Sequence, residues 1–130
     1  MKKELKRGSG IKEVSQKYNL SIYTIRYYEK IGLYKVPRNE NGVRVFDEDT
    51  SMRINVIVYY RRAGLSIKQI QHIFRTPTQD KEHIKIFLQT KEKLLKQFDD
   101  LKKTINFLDY KISYHKKELS KKTSRETDAN

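Results

Sequence analysis

Ser21-Ile-Tyr-Thr-Ile-Arg-Tyr-Tyr-Glu-Lys-Ile-Gly-Leu33 is the stretch whose reading decides the fold. Ser21 is a strong helix N-cap, because its hydroxyl accepts an orphan N–H of the first turn. Gly32 suits the left-handed residue just past a helix end, and Leu33 supplies the apolar contact beyond it. The signals predict a helix from about Ile22 to Ile31. Leu20, Ile25 and Tyr28 fall on its inner face. Upstream, Ile11, Val14 and Tyr18 recur at helical spacing, so a short helix is expected from Ile11 to Tyr18 with Gly10 as N-cap. Asn19 tolerates the left-handed conformation of a tight turn. Helix, three-residue turn, helix is the helix-turn-helix motif.

Downstream, Lys35-Val-Pro-Arg-Asn-Glu-Asn-Gly-Val-Arg-Val-Phe46 reads as a small basic hairpin, a wing. Asn41-Gly42 is a strong hairpin signal, since both residues accept positive φ, and Pro37 suits an edge position. Asp47 is placed to cap a third helix, Glu48 to Ala63, with Gly64 beyond its end. Its apolar stripe is Ile54, Ile57 and Tyr60. Ser66-Ile-Lys-Gln69 has the form of a capping box and opens a fourth helix with the stripe Ile70, Ile73 and Phe74.

From Asp80 to about Leu119 there is neither Pro nor Gly. Apolar residues recur in alternating steps of three and four at Ile84, Phe87, Leu94, Phe98, Leu101, Ile105, Leu108, Ile112 and Leu119, with Lys91 and His115 as interruptions. That is a coiled-coil seam, which a lone helix cannot bury, so a second copy of the chain is the expected partner. The expected organisation is a flexible basic arm over 1–9, a winged helix-turn-helix domain over 10–76, a coiled-coil dimerisation helix over 80–119 and a disordered tail over 120–130. The fold class is mostly α.

The 130 residues carry 29 Lys and Arg against 16 Asp and Glu, a formal charge of +13. Residues 1–76 hold 16 basic and 7 acidic side chains, so the first half carries most of the excess. Such a balance points to a polyanion, most simply nucleic acid, with a membrane surface second. The narrow heptad stripe argues against an interfacial membrane helix. Cys is absent, which excludes disulfides, thiolate chemistry and Cys-ligated zinc. His72, His83 and His115 match no trusted ligand spacing. No catalytic constellation stands out, so no enzyme activity, metal or cofactor is expected. No signal peptide or membrane span is visible, and a cytoplasmic, nucleoid-associated protein is expected.

Thr24-Ile-Arg-Tyr-Tyr-Glu-Lys-Ile-Gly-Leu33 resembles the signature of MerR-family transcription regulators. The likeness continues through Pro37, Arg38 and the wing Asn41-Gly-Val-Arg-Val-Phe46, then through Arg61-Arg-Ala-Gly-Leu-Ser-Ile-Lys-Gln-Ile70, and covers residues 10–74. Two departures stand out: Val43 where the family usually has Tyr, and Thr50 where it has an acidic residue. The resemblance implies a homodimer, held by a long antiparallel coiled coil, on a near-palindromic operator in double-stranded promoter DNA. It implies bending and untwisting of that DNA, which acts indirectly on RNA polymerase. A small-molecule effector is possible and unidentified.

By the same resemblance Tyr23, Thr24, Arg26 and Tyr27 meet the DNA from the second helix, with Tyr28 as core. Arg38, Asn41 and Arg44 meet it from the wing, and Arg61 and Lys68 from the second helical pair. Leu94, Phe98, Leu101, Ile105, Leu108 and Ile112 form the dimer seam. Tyr59, Tyr60, Tyr110 and Tyr114, with Phe74, Phe87 and Phe107, are expected as core and seam more than as a ligand pocket. The competing reading is a basic DNA-binding scaffold that recruits a protein partner through its coiled coil without remodelling DNA.

Overall fold

A computed structural model of the chain describes residues 8–129. Its helices are α1 (Ile11–Tyr18), α2 (Ile22–Lys30), α3 (Glu48–Arg62), α4 (Ile67–Arg75) and α5 (Asp80–Ala129). The chain divides into two compact units, one ending at Thr90 and the other beginning at Lys91. Among the described residues no helix is long and apolar enough to cross a membrane.

In the first unit the helix ends follow the local chemistry. Ser21 Oγ accepts from the Thr24 N–H at 3.0 Å, and Asp47 Oδ1 from the Thr50 N–H at 2.8 Å. Ser66 and Gln69 form the reciprocal capping box, at 3.1 Å and 2.9 Å. Asn19, at φ 52°, turns α1 into α2. Ser15 Oγ donates to the carbonyl of Leu20 at 2.5 Å and closes the corner. The apolar faces then meet. Val14, Ile25, Tyr28, Leu33, Val36, Phe46, Ile54, Ile57, Leu65, Ile70 and Ile73 make one buried core.

The wing departs from the expected turn. Gly42 N–H donates to the Asn39 carbonyl at 3.0 Å, and Asn39 N–H to the Val43 carbonyl at 2.9 Å. Of Asn41 and Gly42, only Gly42 has positive φ, at 75°. The loop therefore carries three residues and ends on a left-handed glycine, instead of a two-residue turn on Asn41-Gly42. Asn39 is the reason: its Oδ1 accepts from the N–H groups of Asn41 and Val43, at 2.9 Å and 3.0 Å. Single bridges join Arg38 to Arg44 and Ser9 to Phe46.

Three domain boundaries differ from expectation. Ser9 exchanges both backbone bonds with Phe46, at 2.9 Å and 2.8 Å, so the end of the expected arm is paired to the wing strand. Residues 1–7 of that arm lie outside the described residues. The first turns of α5 belong to the first unit, where His83 is buried and Ile86 and Phe87 pack against the core. Phe87 lies 5.5 Å from the Tyr60 ring and is core, not seam.

The third difference is at the far end, where α5 runs to Ala129 and the expected tail is helical through that residue. Polar composition was misleading there, because Lys, Glu and Arg are good helix formers and nothing breaks the run. Lys121 pairs with Glu118 at 3.3 Å, and Thr123 Oγ1 donates back to the Leu119 carbonyl at 3.1 Å.

Among its described residues the second unit is helix alone. Its large apolar residues are exposed from Leu94, at 38%, through Phe98 and Leu101 to Ile112, at 51%.

Candidate nucleic-acid interface

The second helix of the motif, α2, buries Ile25 and Tyr28 and turns its other face outward. That outer face holds Tyr23, 78% exposed, Arg26 and Tyr27. Tyr23 and Tyr27 are one helical turn apart and stack with an interplanar angle of 4° and a centroid separation of 6.4 Å. Two parallel rings left in water beside an arginine suit a surface that will be covered by a partner with both charge and flat apolar edges. Thr24 is less free than the sequence suggested. Its hydroxyl meets Ser21 Oγ at 2.8 Å, within the helix cap.

The wing is braced to this helix by a residue that the sequence reading did not single out. Glu29 Oε1 accepts from Arg44 Nε at 2.9 Å and from Arg38 Nη2 at 3.1 Å, while its Oε2 accepts from the Val36 N–H at 3.0 Å. Burial raises the Glu29 pKa, but the bonds from Arg44, Val36 and Arg38 outweigh it and hold the carboxyl below its usual range. The available signal was its place on the helix, next to Tyr28 of the core and within a chain whose 29 Lys and Arg outnumber its 16 Asp and Glu. Arg44 spends its Nε on this bond. Among the described residues Glu29 is its ion-pair partner, and the hydrogen bond between them runs through Nε. Asn41 sits exposed at the loop tip, and the neighbouring Val43 is 56% exposed.

Behind α2, Tyr34 donates its hydroxyl to the Ile25 carbonyl at 2.6 Å, and burial pushes its pKa up. Gln71 Nε2 donates to the Ile31 carbonyl at 3.2 Å, tying α4 to the end of α2. Arg61 Nη1 donates to the Leu65 carbonyl at 2.9 Å, so part of its guanidinium closes the turn between α3 and α4. Lys68 is exposed in the first turn of α4. Of the expected interface residues, the structure gathers Tyr23, Arg26 and Tyr27 on one face of α2. It holds Arg38 and Arg44 to the same helix through Glu29. Arg61 and Lys68 stand on the second helical pair. No described contact links them to the α2 face.

The aromatic residues also separate. Tyr60, Phe74 and Phe87 cluster in the first unit, while Phe107, Tyr110 and Tyr114 are exposed on the second. Among the described residues no three His, Asp or Glu gather as a metal site. His72 Nε2 lies 2.6 Å from Glu82, and His83 Nε2 lies 2.9 Å from Thr76 Oγ1.

A helix-turn-helix whose second helix is clasped to a hairpin defines a winged module, followed here by a long helix with an uncovered apolar seam. The sequence matches the MerR HTH family regulatory protein over residues 10–76. The chain belongs to the MerR family of helix-turn-helix transcription regulators. It is 32% identical to the HTH-type transcriptional regulator YfmP of Bacillus subtilis, over 74% of this chain and 71% of that protein. A crystal structure assigned to a MerR family transcriptional regulator of Listeria monocytogenes has 34% identity and a TM-score of 0.74, covering 95% of this chain and 97% of that one. HiNmlR, a MerR family regulator lacking the sensor domain and crystallised on promoter DNA, has 25% identity and a TM-score of 0.73, covering 83% of this chain and 86% of its own.

Proposed function

We propose that the chain acts as a homodimer on a pseudo-palindromic operator in promoter DNA and changes transcription initiation by bending and untwisting the duplex. The observation that carries this reading is the outward face of α2, Tyr23, Arg26 and Tyr27, joined through Glu29 to the wing arginines. A recognition helix and wing fixed to each other present one rigid surface to a groove and its flanking phosphates. Arg26 and Tyr27 contact phosphates or base edges, Tyr23 and Thr24 line the groove, and Arg38, Asn41 and Arg44 clamp backbone from the wing. Arg61 and Lys68 reach the backbone from the second helical pair, Lys68 with help from the positive N-terminus of α4.

The dimer follows from the second unit. Leu94, Phe98, Leu101, Ile105, Leu108 and Ile112 are exposed on one helix, and burying each side chain is worth about 1.5–3 kcal/mol. An antiparallel partner helix covers them and sets two winged modules at a fixed spacing. Such a dimer can offset the roughly 1–6 kcal/mol that a smooth bend of the duplex costs. RNA polymerase then responds to the reshaped promoter. This role requires no enzyme activity, and it places the protein in the cytoplasm on nucleoid DNA.

Selection of bound duplexes from a random pool, followed by DNase footprinting, tests the reading. The expected result is a protected near-palindrome with a hypersensitive dyad, and altered initiation when the protein is added to a purified transcription reaction. Equal binding to all duplexes by a monomer refutes it.

A further inference from the structure

A cleft of about 430 Å³ opens behind the recognition helix, between the turn that ends α2, the side of α3 and the end of α4. Its size falls in the range of small-ligand sites. Leu33 and Phe74 supply apolar wall. Three cations line it from three separate segments: Lys35, Arg53 and Arg75. Arg53 is held in place by stacking, its guanidinium carbon 4.0 Å from the centroid of the Phe74 ring. Stacking uses the flat face of the guanidinium and leaves its edge, with its fork of N–H donors, for an in-plane partner.

The carboxylate of Glu29, the hydroxyl of Tyr34 and the amide nitrogen of Gln71 are already engaged. Glu29 uses both carboxylate oxygens on Arg38, Arg44 and the Val36 N–H. Tyr34 donates to Ile25, and Gln71 donates to Ile31. Among the described residues, Lys35, Arg53 and Arg75 form no ion pair. Among the charged groups of the cleft, those without an ion pair are therefore all positive. Its one carboxylate is committed elsewhere.

We propose that this cleft is an oxyanion site that takes a phosphate group, with Arg53 as its principal ligand and Lys35 and Arg75 as supporting cations. A phosphate presents several acceptor oxygens at once, which suits donors arriving from three directions. Bound there, it bridges the segment after the recognition helix to α3 and α4. The group comes either from a free phosphorylated molecule or from a DNA backbone.

Calorimetric titration of the full chain with inorganic pyrophosphate, at low salt and without DNA, is the first arm. One saturable site per chain is expected, weakened at least tenfold in Arg53→Gln and unchanged in Lys12→Gln on α1. The second arm measures the salt dependence of duplex binding, whose logarithmic slope falls by about one when a phosphate contact is lost. Arg53-dependent pyrophosphate binding supports a free ligand, and a reduced slope in Arg53→Gln supports a backbone phosphate. Each result sustains the site. Pyrophosphate binding that is absent or indifferent to Arg53, together with an unchanged slope, overturns it. Arg75→Gln, at an exposed helix end, gives the same readouts should Arg53→Gln fail to fold. The first arm does not depend on operator recognition, so the two proposals fail separately.

Discussion

Glu29 Oε1 lies 2.9 Å from Arg44 Nε, and this contact makes the recognition helix and the wing one body. Arg38 joins the same oxygen at 3.1 Å. The pairing neutralises the carboxylate and fixes the direction of two arginines that are otherwise free to rotate. Glu29→Gln keeps the shape and removes the charge. It should lower unfolding stability by about 1–2 kcal/mol, on the scale of hydrogen bonds to charged groups, discounted for the exposure of Arg38. Because the folded pKa is depressed, the carboxylate stabilises the fold above the usual value of 4.5, and this is lost as pH falls through the lowered value. Denaturant melts from neutral to acid pH should therefore show the wild type and Glu29→Gln converging as pH falls. A constant gap across that window would show that the contact is not ionic in origin.

Arg26 stands exposed on α2, and no ion pair is recorded for it among the described residues. Its removal touches no core contact. Arg26→Ala should weaken operator binding by more than about 1 kcal/mol, in the range of a lost charged contact, while the thermal midpoint stays put. Fluorescence anisotropy on the selected duplex reads the first quantity, and a circular dichroism melt reads the second. Equal affinity in both proteins would remove Arg26 from the interface.

The helices of the first unit were legible because each carries its own punctuation. Ser21, Asp47 and Ser66 cap where their hydroxyl or carboxylate must accept, and Asn19 and the glycines mark the ends. The outer face of α2 was legible too, once Ile25 and Tyr28 had claimed the inner one. Two things were not. The brace at Glu29 depends on a helix and a hairpin meeting 15 residues apart in sequence, a distance that no local pattern encodes. The Asn39 side chain displaced the two-residue turn expected on Asn41-Gly42, because a side-chain acceptor for two N–H groups competes with the backbone. At the junction near Thr90, heptad spacing could not tell Phe87 from the seam residues, since core and seam share the same period.

Ser66 and Gln69 satisfy each other's backbone donors at the start of α4. Both side chains are exposed, so their loss opens no cavity. Ser66→Ala should cost about 1 kcal/mol of stability, the usual worth of an N-cap. Ser66→Asp should restore most of it, because a carboxylate accepts the same bond and also favours the positive helix end. Equilibrium urea unfolding of the three proteins checks the order. If Ser66→Asp ranks with Ser66→Ala, the cap contributes little here.

Leu101 and Leu108 are 61% and 53% exposed on the second unit, where the large apolar residues from Leu94 onward are exposed. In a monomer, Asp at either position is nearly neutral, since the site is already wet. In a dimer the same carboxylate is placed inside a dry seam, where leaving it charged costs several kcal/mol. Leu101→Asp or Leu108→Asp should therefore yield a monomer by sedimentation equilibrium. Operator binding should be lost while the winged module keeps its helicity and its solubility. The seam also predicts silence off its stripe: Lys102→Asp, one residue along from Leu101, should leave the dimer intact. If Leu101→Asp remains dimeric and Lys102→Asp does not, the register of the seam is displaced by one residue, and the face that joins two chains is a different one.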